Sequence, residues 1–273
     1  MSNSLEILQK TTIAVADTGD FKILEENATQ DATTNPSHIL KVAIDPKFQY
    51  LIDEACQFAK TKSDNIEEQI EWAADKVCVN FGLEILKRIP GRVSTEVDAR
   101  LSFDKENSVK KALRIIEMYK NAGIDKKRIL IKLGSTWEGI QAAKELEAEH
   151  GIKTNLTLLF SFAQAVACAE AKVQLISPFV GRANDWWAEK NGRKYTAEEE
   201  ATSPGVVLVK RIFNYYRKFG YDTEIMGASF RNIDQVKALC GIDLMTMWPK
   251  FIDDLRVDQD TFSAVCTGFI KNC

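Results

Sequence analysis

Short apolar runs and longer amphipathic stretches alternate along the whole chain. The runs read as strands at Thr11–Asp17, Ala32–Thr34, Arg92–Asp98, Ile129–Leu133, Asn155–Phe160, Val173–Phe179, Glu224–Phe230 and Asp243–Met247. Between them lie helical patterns. One opens at Asn35-Pro36-Ser37. Others cover Phe48–Lys60, Ile66–Arg88, Asn107–Asn121, Trp137–Glu149, Phe162–Ala171, Pro204–Phe219 and Ile233–Leu239, and a last one starts over Pro249–Leu255. Ile66, Ile70, Ala73 and Val77 share one face, and Val206, Val209, Phe213 and Tyr216 share another. Gly123, Gly151, Gly220 and Gly241 stand where helices end. Arg182–Ser203 reads as a polar excursion.

Strands that alternate with helices imply a parallel sheet. Eight such units in 273 residues predict a closed (β/α)8 TIM barrel, expected as a single domain over residues 1–273. The rival is an open doubly wound sheet. No GxGxxG and no GxxxxGK[ST] occurs, which weighs against a nucleotide-binding open sheet.

Strand residues point alternately to the two faces. Ser94, Glu96 and Asp98 share a face, as do Leu130 and Lys132, and Asn155, Thr157 and Leu159. The opposite faces, including Leu156, Leu158 and Phe160, are apolar and should meet the helices. The polar faces should then line the barrel, with Asp17, Thr33, Asn35, Ser177 and Ser229 near strand ends. Lys132 interrupts the most apolar run, Ile-Leu-Ile-Lys-Leu-Gly. A buried lysine is costly unless paired or neutral, and a neutral amine attacks carbonyl carbons. A lysine at the strand mouth, paired to Glu96, is the plain alternative. It leaves the convergence of amides and hydroxyls unexplained. The set suits Schiff-base chemistry on a ketose: Lys132 as nucleophile, Asp17 and Glu96 moving protons, amides and hydroxyls holding sugar hydroxyls. Arg182 and Arg231, just after the sixth and seventh strands, suit a phosphate.

Charge and composition narrow the partners. Lys plus Arg number 36 against 39 Asp plus Glu, so the net charge is −3 and nothing points to nucleic acid. No apolar run reaches membrane-spanning length, and Met1–Glu6 has no signal-peptide pattern, so a cytoplasmic location is expected. The six cysteines form no CxxC and are expected as thiols. Only His38 and His150 are present, too few for a His-based metal site.

Seven stretches carry a resemblance. They are Ala-Asp-Thr-Gly-Asp from Ala16, Asp-Ala-Thr-Thr-Asn-Pro-Ser from Asp31, and Ser-Thr-Glu-Val-Asp-Ala-Arg-Leu-Ser from Ser94. Ile131-Lys132 with Ser-Thr-Trp-Glu-Gly from Ser135 follows, then Asn-Leu-Thr-Leu-Leu-Phe-Ser-Phe-Ala-Gln-Ala from Asn155. The last two are Ile-Ser-Pro-Phe-Val-Gly-Arg from Ile176 and Met-Gly-Ala-Ser-Phe-Arg-Asn from Met226. Over about residues 5–255 the chain resembles the transaldolases. The resemblance implies a class I aldolase-type barrel of the pentose phosphate pathway. Such enzymes transfer a dihydroxyacetone unit from sedoheptulose 7-phosphate to glyceraldehyde 3-phosphate, without metal or cofactor, commonly as homodimers. It assigns Lys132 to the Schiff base and Glu96 to acid/base work through a water held with Thr157. Asp17 matches the residue that handles the proton of carbon–carbon cleavage. Thr33, Asn35, Asn155 and Ser177 match positions around the ketose. Arg182 and Arg231 match the phosphate-binding arginines, with Ser229 nearby, and Phe179 matches an aromatic beside the catalytic water.

Some positions depart from that pattern. Trp248 stands where the family usually has Ser, and should crowd the mouth of the site. Ser203 replaces the usual Asp, and Gly134 a small residue such as Ala. Val257–Cys273 does not resemble the terminal helices of the family, whose loss should expose apolar barrel surface. Two alternatives follow. One is a fructose-6-phosphate aldolase-like enzyme that releases dihydroxyacetone by hydrolysis. The other is a catalytically impaired barrel that binds sugar phosphates or a protein partner.

Overall fold

Eight parallel strands hydrogen-bond in chain order, and the eighth pairs back onto the first to close a barrel. They are β1 (Ile13–Asp17), β2 (Asp31–Thr33), β3 (Val93–Glu96), β4 (Ile129–Gly134), β5 (Thr154–Leu159), β6 (Leu175–Pro178), β7 (Glu224–Gly227) and β8 (Leu244–Met247). The structure is a computed structural model that describes residues 2–21, 24 and 29–264. The open-sheet alternative is thereby excluded. β1, β3, β6, β7 and β8 are shorter than the apolar runs, because barrel pairing ends before the apolar sequence does.

Two apolar layers hold the barrel. Inside it, Val15, Leu130, Leu175, Met226 and Leu244 form a cluster of their own, with Ile13 beside them. Outside it, Val93, Ile129, Ile131, Leu156, Ile176, Ile225 and Met245 join the helices in one large core. Alternation along each strand therefore sorts residues between a small inner core and a large outer one. The inner core fills the middle of the barrel and leaves the carboxyl ends of the strands for polar groups.

The amino-terminal mouth is closed by ions rather than by apolar side chains. Arg92 donates from Nε to Asp31 Oδ2 at 2.9 Å and from Nη1 to Glu224 Oε2 at 2.8 Å. Gln174 donates to the same Glu224 oxygen at 3.2 Å. Burial works against the Arg92 charge. The hydrogen bond to Glu224 and the fields of Asp31 and Glu224 outweigh it and hold the guanidinium above its ordinary value.

Helices follow the strands largely where periodicity put them. Ile66–Leu86 is capped by Asn65, whose side chain accepts from Glu67 and Glu68 N–H. Lys105–Asn121 starts two residues early, because Asp104 caps it through Asn107 N–H at 3.0 Å. The excursion after Arg182 holds a helix instead, Val180–Asn191. Its apolar stripe is thin, and it is held by polar packing. The buried Asn184 accepts from Gly205 N–H at 2.9 Å and donates to Ser203 Oγ at 2.9 Å. After the last helix, Pro249–Val257, the chain is tied back. Asp258 accepts from Ser4 N–H through its carbonyl at 3.0 Å and pairs with Lys237 at 2.7 Å. Residues 265–273 of the departing tail lie outside the described residues.

Removing Arg92 leaves two partly buried carboxylates facing each other at the mouth. Arg92→Leu should cost about 2–4 kcal/mol, read as a lower urea midpoint at unchanged slope. A midpoint within error of wild type would show that the ion cluster contributes nothing net.

Candidate active site

The carboxyl ends of the strands converge on a cavity of about 350 Å³. Register brings its central groups side by side: Glu96 lies opposite Lys132, and Lys132 opposite Asn155. Lys132 is 9% exposed. Its Nζ lies 3.2 Å from Glu96 Oε2 and donates to the Thr34 carbonyl at 3.1 Å. Across the barrel, Asp17 Oδ1 accepts from Thr33 Oγ1 at 3.2 Å, and Thr33 touches Thr246 Oγ1 at 2.6 Å. Asn155 donates to Ser94 Oγ at 3.1 Å and accepts from Ser177 Oγ at 2.6 Å. This row leaves both ends of the buried amide hydrogen-bonded.

The candidate residues named above come together here, with one division. Asp17, Thr33, Asn35, Lys132, Asn155, Thr157, Ser177, Phe179, Arg182, Ser229 and Arg231 line the cavity. Glu96 stands behind Lys132 and lines a second cavity of about 20 Å³ instead, with Thr157 at the boundary of both. That volume holds a single water. Thr157 Oγ1 is buried and has no hydrogen-bond partner among the described residues. An unpaired buried hydroxyl costs stability, so its presence beside Glu96 points to a group that fills the position during function.

The fifth strand departs from simple alternation. Its register shifts between Leu156 and Leu159, and Leu158 takes a left-handed backbone with φ of 58°. That conformation is strained for a leucine. One residue is thereby inserted and the faces exchange. Leu159 was expected to line the barrel and instead joins the outer core fully buried. Leu158 and Phe160 were expected on the helix face and stand exposed at the mouth. Phe160 meets Phe179 edge-on at 5.5 Å between ring centres. Asp98, also expected to point inward, lies past the end of β3. It pairs with Arg100 at 2.6 Å and caps the turn there.

The loops after β6 and β7 bring two arginines to the cavity. The Arg182 guanidinium lies over the Phe179 ring at 4.9 Å. Arg231 is held by Asp185, with Nη2–Oδ2 at 2.6 Å and Nε–Oδ2 at 3.0 Å, and its Nη1 reaches Ser229 Oγ at 3.3 Å. Ser229 has φ of 60°. The two loops touch at Gly181, where a Cβ would lie 2.2 Å from Ser229 O and 2.7 Å from Arg231 Cγ. Only glycine allows this approach.

Thr246, His38 and Phe251, with Met226, Ala228 and Phe230, also line the cavity and are not among the site groups that the sequence points to. Thr246 shares the face of Leu244, so alternation alone could have found it. Trp248 is 55% exposed, lines the cavity and stacks on Phe251 at 6.4 Å and 13°. It is also the N-cap of Pro249–Val257 and makes no side-chain capping bond. Among the described residues no cysteine lines the cavity. Burial pushes the Cys78 and Cys168 thiols up to about 12. Elsewhere, Glu145, Glu149 and His150 bring ligand atoms within 4.8 Å of one another. They sit at the far end of the Trp137–His150 helix from the cavity, and Glu145 is already paired to Lys105 at 2.7 Å.

Comparison with known sequences decides the family. The transaldolase/fructose-6-phosphate aldolase family model matches residues 14–271. The chain belongs to the transaldolase family. A transaldolase of Kluyveromyces lactis is 60% identical over 97% of this chain and 78% of its own length. That of Shewanella amazonensis is 60% identical over 95% of this chain and 80% of its own. The Bos taurus transaldolase is 57% identical over 98% and 79%. As a transaldolase-family member the chain is an enzyme that transfers aldehyde or ketone residues, and its barrel is the family's fold. No helix among the described residues is long and apolar enough to cross a membrane.

Adding one methyl group at Gly181 should push the two arginine loops apart. Gly181→Ala is expected to raise KM for phosphorylated sugars about tenfold or more, with a smaller change in kcat. Equal KM values for the variant and wild type in steady-state assays would refute the role given to this contact.

Proposed function

We propose that the cavity transfers a dihydroxyacetone unit from sedoheptulose 7-phosphate to glyceraldehyde 3-phosphate through a Schiff base on Lys132. The observation that carries this reading is a nearly buried amine 3.2 Å from Glu96 Oε2, facing a cavity that also holds Asp17. The Lys132 amine adds to the ketose carbonyl. Glu96 moves protons as the carbinolamine loses water, working through a water held against the Thr157 hydroxyl. The iminium then accepts the electron pair of the adjacent carbon–carbon bond. Asp17 takes the proton of the departing hydroxyl, and an aldehyde leaves. The three-carbon enamine attacks the acceptor aldehyde, and Asp17 returns the proton.

The remaining groups orient the sugar. Asn35, Asn155, Ser177 and Thr33 offer amides and hydroxyls to the ketose, and Phe179 shields the water side. Arg182 and Arg231 Nη1, with Ser229, bind the phosphate. This chemistry uses no metal or cofactor. We further infer that the chain works in the cytoplasm as one barrel unit and assembles as a homodimer, both on the strength of the family.

Borohydride trapping with fructose 6-phosphate, followed by peptide mass spectrometry, tests the reading. A reduced three-carbon adduct on Lys132 is expected. A folded protein that gives no adduct on Lys132 would overturn it. A second test separates function from stability. Thr157→Val removes an unpaired buried hydroxyl, so stability should hold or rise by about 1 kcal/mol, while kcat falls on the order of a hundredfold. Loss of stability together with wild-type kcat would place Thr157 outside the chemistry.

A further inference from the structure

One titratable side chain in the cavity has no part in the chemistry above. His38 lines it, and its Nδ1 lies 3.8 Å from Asp17 Oδ1, with each side chain about a fifth exposed, at 19% and 18%. Two features hold it there. Asn35 Oδ1 accepts from His38 N–H at 2.9 Å and fixes the first turn of the Pro36–Ala43 helix. On the other side, a Cβ at Gly19 would lie 2.8 Å from the His38 carbonyl oxygen, so the chain leaving β1 packs directly on the backbone at His38. Asp17 itself is paired in register with Thr33. The imidazole is therefore aimed at Asp17 by the same elements that aim Asp17 at the cavity.

The other charged groups around it are accounted for. Lys132 is held by Glu96 at 3.2 Å and by the Thr34 carbonyl. Arg231 is held by Asp185 at 2.6 Å, and Arg182 lies over Phe179. Asp20, in the loop packed on this helix, acts on Lys47, and Lys41 on the same helix is exposed. Among the cavity-lining groups, Asp17 alone is within ion-pair reach of His38.

We propose that His38 is a positioning residue for Asp17, and that its charge sets how readily this carboxylate accepts the proton of carbon–carbon cleavage. The inference rests on the reading of Asp17 as that acceptor. In the step concerned, the electron pair of the carbon–carbon bond enters the iminium on Lys132. The hydroxyl proton goes to Asp17, and the aldehyde leaves. At 3.8 Å a neutral imidazole makes no hydrogen bond to Asp17. A protonated one favours the ionised carboxylate and makes it a poorer base. Histidine is the side chain whose charge ordinarily changes between about pH 5 and 8. Acidification should then slow cleavage and leave formation of the Schiff base intact.

The experiment uses the full chain with fructose 6-phosphate, quenched with borohydride at about pH 6 and about pH 8. The ratio of six-carbon to three-carbon adducts on Lys132 is read by mass spectrometry. In wild type the ratio should rise on the order of tenfold from the higher to the lower pH. In His38→Gln, which is neutral throughout, the ratio should stay flat. In His38→Lys, which is charged throughout, it should be high at both values. Circular dichroism melts confirm that both variants are folded. A His38→Gln enzyme that keeps the wild-type pH change overturns this inference alone. A wild type with no adduct on Lys132 at either pH removes the Schiff-base reading and this inference with it.

Discussion

The pairing of Lys132 with Glu96 is the constraint on which the rest of the barrel depends. Two charged groups that are each mostly out of water are tolerated only when they face each other and their remaining donors are met. Here the parallel register between β3 and β4 sets them side by side, and the Thr34 carbonyl takes another Lys132 proton. Register in a closed barrel is not local. A slip of one residue in β4 would send Lys132 into the outer apolar layer, and the closed ring holds β4 on both edges. The inner cluster of Val15, Leu130, Leu175, Met226 and Leu244 resists that slip, because β1, β4, β6, β7 and β8 each supply one of its members. The Arg92 cluster pins the opposite mouth in the same way. The Lys132 amine is thus placed by packing two layers away as much as by its own neighbours.

A rigid floor leaves the rim free to carry specificity, and the rim has two unlike sides. After β6 and β7 stand the arginines, brought together by the absence of a side chain at Gly181 and by the left-handed backbone at Ser229. After β8 and β2 stand Trp248, Phe251 and His38. On the proposed reading, a phosphorylated sugar anchors its charged end on the first side, and its reacting carbons fall over Lys132 and Asp17 at the centre. The Asp185 carboxylate binds Arg231 through Nη2, while Nη1 is directed toward Ser229.

Much of this was legible in the residue pattern. Period-two alternation placed Lys132, Glu96, Asn155 and Thr157 on the barrel side because three neighbouring strands agreed, and the strand–helix order implied closure. What failed did so for identifiable reasons. Leu158 breaks the alternation by a bulge, and nothing in Leu-Thr-Leu-Leu-Phe marks which leucine accepts a positive φ. The faces of Leu159 and Phe160 were therefore exchanged. Val180–Asn191 escaped notice because polar contacts from Asn184 and Glu200 hold it, and periodicity counts only apolar positions. Asp98 followed its strand's pattern for two residues after pairing had ended. The roles of the site residues came from resemblance; geometry supplies their distances and their company.

Trp248 illustrates how rim and floor can change separately. Its backbone continues β8, whose Leu244 belongs to the inner cluster and whose Met245 belongs to the outer core. Its side chain meets neither. It stacks on Phe251 and stands over half exposed, so no packed interior selects its size. A serine at this position would offer the helix after it a capping oxygen, a contribution of about 1 kcal/mol that indole cannot make. The helix starts at Pro249 nonetheless, since proline at its first position already fixes the backbone there. The substitution therefore forgoes a modest local contribution and leaves the distances among Lys132, Glu96 and Asp17 to the barrel. Its consequences fall on what enters the cavity, on the side away from the arginines.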